Sequence, residues 1–87
     1  MLTLTPSAAA RLSLLLNEIS GNRAARIVRR DQRLKLRCDR ARAGDTTFAH
    51  EGRVVLVLDA RMAKSLGSRT LDTRETDTGP RLRMKAH

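Results

Sequence analysis

The chain has 87 residues and a formal net charge of +9, with one cysteine and one aromatic residue, Phe48. One cysteine excludes a disulfide scaffold, and no apolar run approaches the ~20 residues that a membrane-spanning helix needs. The first residues also lack the apolar run behind positive charges that is typical of a secretory signal, so we expect one cytoplasmic domain over residues 1–87.

The first predicted elements are a short strand and a helix. Leucine and threonine alternate over residues 1–5, which predicts the strand. Thr5 is a suitable N-cap, and Pro6 suits the first helical position because its missing N–H has no helical partner there. An apolar stripe predicts a helix over residues 6–19 that ends at Gly21. The stripe consists of Ala8, Leu12, Leu15, Leu16 and Ile19.

A β-hairpin is predicted to follow this helix. The pair Ile27 and Val28 lies in a strand-like run, and the Asp-Gln dipeptide at residues 31–32 suits a turn. Residues 33–39 then alternate strictly between apolar and basic side chains. The apolar positions are Leu34, Leu36 and Cys38. We expect this face to point into the core, with Cys38 as a small buried residue, because free cysteine is among the most buried residue types.

Further strands and a second helix are predicted in the rest of the chain. A strand-like run precedes a Glu-Gly turn, and the continuously apolar run 54–58 predicts a central strand buried on both faces. Asp59 is a suitable N-cap for a short helix that ends at Gly67. Two more strands are predicted, one centred on Leu71 and one over residues 81–85. The order predicts an α+β fold in which mostly antiparallel or mixed β-sheets carry one N-terminal helix and one short helix.

No pattern in the sequence supports catalysis or a metal site. Nucleophile–base pairs, phosphate-binding glycine loops and C-x-x-C are absent. The histidines are His50, before a turn where polar side chains are usually solvated, and His87 at the end of the chain. Cys38 alone falls short of the three or four ligands that a structural metal or cluster site needs. We therefore expect no enzyme activity, no catalytic residue, no metal ligand and no cofactor.

Two basic rows remain as a candidate binding site. The rows are Arg33, Lys35 and Arg37, and Arg81, Arg83 and Lys85. If the two strands lie together, the rows make a polycationic patch suited to phosphates, although no exposed aromatic residues are expected for base stacking. Most of the basic residues are arginines, which fits phosphate or carboxylate binding but also fits the compositional bias of a GC-rich genome.

The order of motifs resembles that of the HesB/IscA-like family, the A-type iron–sulfur biogenesis proteins. The matching segments are LTLTPSAAARL, GDTTFAHEGRVVLVLD and RMAKSLGSRTLD. Together they follow the family's order of strand, helix, G-D-x-x-F segment, acidic-Gly turn, V-x-V-D strand and short helix. The resemblance extends over nearly the whole chain and implies a small HesB-like α+β domain.

The same resemblance implies that the cluster ligands of the family are missing here. Members that handle clusters carry G-C-S/T-G in the hairpin loop and C-G-C-G near the C-terminus. In this chain the loop is RDQR and the C-terminus is GPRLRMKAH, and neither contains cysteine. Cys38 does not fall at a ligand position of the family.

Three functional hypotheses follow. The leading one is a non-catalytic accessory or binding protein that acts through contacts with a protein partner or with further copies of itself, and not at a membrane. The alternative is a module that binds nucleic acid or another polyanion through the basic rows. The third is a trace-metal or redox role for Cys38, which thiol reactivity would test. The resemblance bears on fold, and fold alone does not specify function.

Overall fold

The computed structural model describes residues 1–18 and 23–86. In this part of the chain the elements are β1 (Thr3–Leu4), α1 (Pro6–Leu16), β2 (Ala24–Arg30), β3 (Arg33–Asp39), β4 (Thr46–His50), β5 (Arg53–Leu58), α2 (Ala60–Ser65), β6 (Arg69–Thr76) and β7 (Gly79–Ala86). The strands form a four-stranded sheet with the order β3-β2-β5-β4 and a three-stranded sheet with the order β1-β6-β7. Both sheets mix parallel and antiparallel pairs, so the predicted α+β fold with mixed sheets is confirmed.

The start of α1 is as predicted. The Oγ1 atom of Thr5 accepts a hydrogen bond from the Ala8 N–H at 3.2 Å, and Pro6 is the first helical residue. The helix ends at Leu16, three residues before the predicted end. Ile19 and Gly21, which the prediction also used, lie outside the described residues.

The inward face of α1 is shifted from the predicted one, because Ala9 is buried and Leu15 is exposed. Ala8, Leu12 and Leu16 are buried at a spacing of four residues, which brings them onto one line of the helix. Leu15 was expected to be inward as well, but its side is only partly covered and it is 44% exposed. Leu15 lies toward β3, an outer strand of the four-stranded sheet, where it borders a shallow cleft.

Two tight turns set the register of the two hairpins in the four-stranded sheet. Asp31 and Gln32 have φ values of 50° and 66°, so both central residues are left-handed, as a two-residue type I′ turn requires. This turn pairs Arg30 with Arg33 and confirms the predicted hairpin of β2 and β3. Glu51 and Gly52, with φ values of 52° and 80°, make the same kind of turn between β4 and β5.

The core lies around β5. This strand runs parallel to β2 on one side and antiparallel to β4 on the other, and its last four residues, 55–58, are fully buried. The predicted central strand is therefore confirmed. One apolar cluster joins the two sheets, α1 and α2, with Leu56 from β5, Met62 from α2 and Leu71 from β6 among its members. No helix within residues 1–18 and 23–86 is long and apolar enough to cross a bilayer.

Candidate functional site

Cys38 lies on the predicted face of β3 but is not buried. In the antiparallel ladder Cys38 pairs with Ala25, and Leu36 pairs with Ile27. Directly paired residues share a face, so Cys38 and Leu36 do lie on the side of the sheet that buries Ile27. Both are nevertheless exposed, and the prediction that Cys38 belongs to the core is wrong.

The lateral position of β3 explains this exposure. β3 is an outer strand of its sheet, whereas the strands of that sheet with which α1 makes its main contacts are β5, β4 and β2. A helix is about 10 Å wide and strands lie about 4.8 Å apart, so one helix covers roughly two strands. The alternation in the sequence determines on which face of the sheet a side chain lies. Whether the helix covers that side chain depends on how far its strand lies from the helix.

The described residues contain no group of metal ligands. Within residues 1–18 and 23–86, no three histidine, cysteine, aspartate or glutamate side chains lie close enough together to hold a metal ion. His50 is half-buried at the end of β4, not in a solvated loop as expected, and His87 lies outside the described residues. Since the sequence has one cysteine, a single chain supplies at most one thiolate.

The two basic rows lie on different sheets. All six residues are exposed: Arg33, Lys35 and Arg37 on β3, and Arg81, Arg83 and Lys85 on β7. β3 and β7 are not paired, and their apolar residues Leu34 and Leu82 line a common cleft. Of the six basic residues, Lys35 is among those that line this cleft, and the rest of the lining is apolar. The rows therefore do not form one patch of neighbouring strands.

The row on β7 is partly neutralised at Lys85. Its Nζ atom lies 2.9 Å from Oδ2 of Asp72, and Oδ1 of Asp72 accepts a hydrogen bond from Oγ1 of Thr5 at 2.8 Å. The hydrogen bond from Lys85, followed by those from the Thr73 N–H and Thr5, lowers the pKa of Asp72 to about 2. Asp72 thus connects the hairpin of β6 and β7 to the N-terminus of α1.

A buried arginine, which the sequence analysis did not single out, is the most connected charge among the described residues. Arg26 of β2 is 6% exposed. Its Nε donates to Asp39 at 3.1 Å, its Nη2 donates to the Arg40 carbonyl at 3.0 Å, and both terminal nitrogens donate to Asp45. A lone arginine inside the apolar run AARIV was the pattern that could have revealed it, since a buried charge needs partners.

The partners of Arg26 are held in their charged forms. The hydrogen bond to Asp45 is the main cause of the raised pKa of Arg26, and it also lowers the pKa of Asp45. The pKa of Asp39 is lowered first by the backbone N–H of Arg40. The geometry of this cluster is that of a structural clamp between β2, the end of β3 and the segment before β4.

Two shallow clefts flank the apolar face of β3. One lies between β3 and β7 and has a volume of about 270 Å³. Its apolar lining consists of Ile27, Leu34, Leu36, Leu71, Leu82 and Met84. The other lies between α1 and β3, has a volume of about 90 Å³ and is bordered by Leu15, Leu36 and Cys38. Apolar surface therefore lies on both sides of Leu36 along β3.

Together, the two small mixed sheets, the capped N-terminal helix and the short second helix define a compact α+β domain. Neither a protein-family model nor a curated protein sequence matches this chain. Solved structures, however, match this chain. SufA of Escherichia coli, described as involved in the biosynthesis of iron–sulfur clusters, matches with a TM-score of 0.79 and 18% identity over 98% of this chain and 84% of SufA. IscA, solved with a 2Fe–2S cluster, matches with a TM-score of 0.66 and 17% identity over 99% of this chain and 85% of IscA.

The chain therefore has the HesB/IscA-like fold, and the resemblance drawn from its sequence motifs is confirmed at the level of fold. The fold is that of iron–sulfur biogenesis proteins, while the sequence holds a single cysteine. That cysteine lies on an outer strand of the larger sheet, six positions beyond Gln32 of the hairpin turn.

Proposed function

We propose that this protein is a non-catalytic accessory or binding protein that acts through protein contacts and does not carry an iron–sulfur cluster. One observation carries the proposal: a fold shared with SufA and IscA over nearly the whole chain is combined with one cysteine in 87 residues. An accessory role in cluster biogenesis keeps the protein contacts that such a fold offers and needs no bound metal.

The number of ligands is the physical argument against carriage. A 2Fe–2S cluster is normally held by four thiolates or by thiolates together with histidines. A symmetric pair of these chains brings two Cys38 thiolates, and within the described residues of one chain no three histidine, cysteine, aspartate or glutamate side chains are grouped so that they could hold a metal ion. The exposure of Cys38 on the edge strand also leaves its thiol open to water, which favours exchange and loss of a weakly held cluster.

Anaerobic reconstitution tests the proposal. The purified protein is incubated with ferrous iron, sulfide and a reductant, desalted under the same conditions, and examined by visible absorbance. SufA of Escherichia coli serves as the reference for the procedure, and Cys38→Ser is the matched variant. We expect no stable charge-transfer absorbance in either form of this protein. A stable absorbance that disappears in Cys38→Ser would refute the proposal.

Polyanion binding is the second candidate, and the exposure of all six basic residues of the two rows favours it. Phosphate contacts release counterions, so this function predicts an affinity for DNA or RNA that falls steeply with salt. Fluorescence anisotropy with labelled oligonucleotides between low and physiological salt measures it. Absence of binding at low salt removes this candidate, and a triple variant Arg81→Glu, Arg83→Glu and Lys85→Glu identifies the row involved if binding occurs.

A further inference from the structure

The outer edge of β3 is an open edge of the four-stranded sheet. Among the described residues, no strand pairs with the side of β3 opposite to β2. Arg30 and Arg33 flank a two-residue turn and therefore form a pair that exchanges both backbone hydrogen bonds. Because such pairs alternate along an antiparallel ladder, the N–H and C=O groups of Leu34, Leu36 and Cys38 point to the open edge. An edge of this kind is a template for a further strand.

The side chains beside this edge offer apolar contacts on one face. Leu36 is 42% exposed and lines both clefts, the one toward β7 and the one toward α1. With Leu15 and Cys38 at one end and Met84 at the other, the apolar surface follows the strand along most of its length. A strand laid along the edge would cover this surface with every second side chain.

The opposite face of the same strand is basic. Arg33, Lys35 and Arg37 alternate with the apolar residues, and all three are exposed. Arg30 of β2 stands directly across from Arg33 and adds a fourth exposed positive charge on this face. Opposite charges on neighbouring strands are stabilising, and like charges are destabilising. The basic face therefore favours acidic side chains on any strand that joins the edge.

We propose that the outer edge of β3 binds an extended acidic segment of a partner protein as an additional β-strand. The segment alternates apolar residues, which enter the two clefts, with glutamate or aspartate residues, which lie beside Arg33, Lys35 and Arg37. This inference rests on the proposed function as a protein that acts through protein contacts, and it names the class of partner. The positive net charge of the chain speeds the encounter with such a segment.

Two other occupants fit the edge less well. A second copy pairing all seven residues of β3 in antiparallel fashion would set Lys35 against Arg37 twice on the same face, which is destabilising, and Arg33 would meet Asp39, whose carboxylate already pairs with Arg26. A nucleic acid would meet the charges but would use neither the backbone groups of the edge nor the apolar clefts. Strand addition with an acidic, alternating segment uses all three features together.

The probe for this inference is a capped synthetic peptide of seven residues, the length of β3, in which glutamate and valine alternate. A peptide of the same composition, with its glutamates and valines in two blocks, has the same charge without the alternation. Binding is measured by isothermal titration, and amide hydrogen exchange is followed by NMR. We expect only the alternating peptide to bind and to slow exchange at Leu34, Leu36 and Cys38, by roughly tenfold or more at saturation. The amides of Lys35 and Arg37 already pair with β2 and should change little.

Two variants locate the site. Leu36→Pro removes an N–H that points to the open edge and not to β2, so the hairpin keeps its ladder bonds while the edge loses a donor. The pair Arg33→Glu and Lys35→Glu reverses the charge of the basic face, and Arg61→Glu with Arg69→Glu makes the same change of net charge at exposed residues outside both basic rows. We expect the edge variants to weaken peptide binding about tenfold or more, and the control pair to weaken it less than about threefold. Exchange at the amides of β2 and β5 verifies that each variant is folded.

Each other outcome overturns the inference. Equal binding of both peptides indicates charge alone and supports the polyanion hypothesis. Absence of binding, or binding without protection of the edge amides, rejects strand addition. Protection of these amides without peptide, lost on dilution, identifies a second copy as the occupant. The reconstitution experiment is independent of all these results, so cluster formation would refute the proposed function even if the peptide bound.

Discussion

Arg26 and Asp45 form a two-pronged ion pair that is almost fully enclosed. The Nη2 atom of Arg26 lies 2.6 Å from Oδ2 of Asp45, and the two side chains are 7% and 5% exposed. Asp45 also accepts a hydrogen bond from the Arg42 N–H at 2.7 Å, which closes the loop before β4. The Gly-Asp pair that contributed to the family resemblance therefore has a structural task in this chain, which is to neutralise the buried guanidinium of Arg26.

Removal of Asp45 tests this task. Asp45→Ala leaves the buried charge of Arg26 with Asp39 as its remaining acid, and we expect it to lower the free energy of unfolding by about 2–4 kcal/mol. Arg42→Ala is the control, because Arg42 also pairs with Asp39 at 3.1 Å but is 70% exposed. An exposed pair contributes little, so its loss should cost under about 1 kcal/mol. Urea unfolding followed by circular dichroism measures both, and equal small losses would show that Arg26 does not depend on Asp45.

Stability should fall in acid, and Asp72 should contribute to that fall. Its pKa is lowered to about 2 by Lys85, Thr73 and Thr5, below the ~3.9 of an unfolded chain. The carboxylate therefore stabilises the fold above about pH 4, and this contribution is lost as the pH falls toward 2. Asp72→Asn should be less stable at pH 7 and lose less stability than the wild type between pH 5 and pH 2. Urea midpoints at several pH values measure this.

A second variant separates Asp72 from the other carboxylates. The hydrogen bond from Lys85 is the largest cause of the lowered pKa of Asp72, so Lys85→Met should raise that pKa. An NMR titration of the Asp72 side chain reads it directly. An unchanged pKa in this variant would contradict the assignment of the effect to Lys85.

How much of the molecule the sequence could predict depended on the range of the interactions involved. The start of α1 at Thr5 and Pro6 and the hairpin turn at residues 31–32 were predicted, because local chemistry decides them. The burial of Cys38 was not predicted correctly, since it depends on where α1 lies across the sheet. Arg26 was overlooked because its partners, including Asp45, come from positions up to 19 residues away.

The prediction of the candidate site was limited in the same way by long-range interactions. The sequence indicated both basic rows, and all six residues are exposed in the structure. Only the sheet topology shows that the two rows lie in different sheets. The open edge of β3 could not be predicted, because the order of strands in a sheet is a long-range property. The same edge accounts for the exposure of Leu36 and Cys38.

Two leucines of the larger sheet should respond very differently to truncation. Leu56 of β5 is fully buried, whereas Leu36 of β3 is 42% exposed. We expect Leu56→Ala to cost about 2–5 kcal/mol, because it leaves a cavity in a core that is poor in aromatic residues. Leu36→Ala should cost under about 1 kcal/mol. Thermal and urea unfolding compare them, and similar losses would mean that β3 is covered in solution.

The thiol of Cys38 should be accessible in the folded protein. It is exposed in the structure, so a thiol reagent should label the native protein to completion, at a rate close to that of the urea-unfolded chain. The reaction with a chromogenic disulfide reagent measures both rates. Strong protection in the native state would restore the earlier prediction that Cys38 is a core residue, or would reveal a partner chain over the edge of β3.

The iron and sulfide content after anaerobic reconstitution is the most direct test of the central claim, that this chain has the HesB/IscA-like fold but does not carry a cluster. The wild type and Cys38→Ser are reconstituted, separated from free ions by gel filtration, and analysed for iron and acid-labile sulfide per chain. We expect both contents to stay near zero in both proteins, because one cysteine per chain cannot supply the ligands of a cluster. About one 2Fe–2S unit per two chains in the wild type, absent from Cys38→Ser, would contradict the claim.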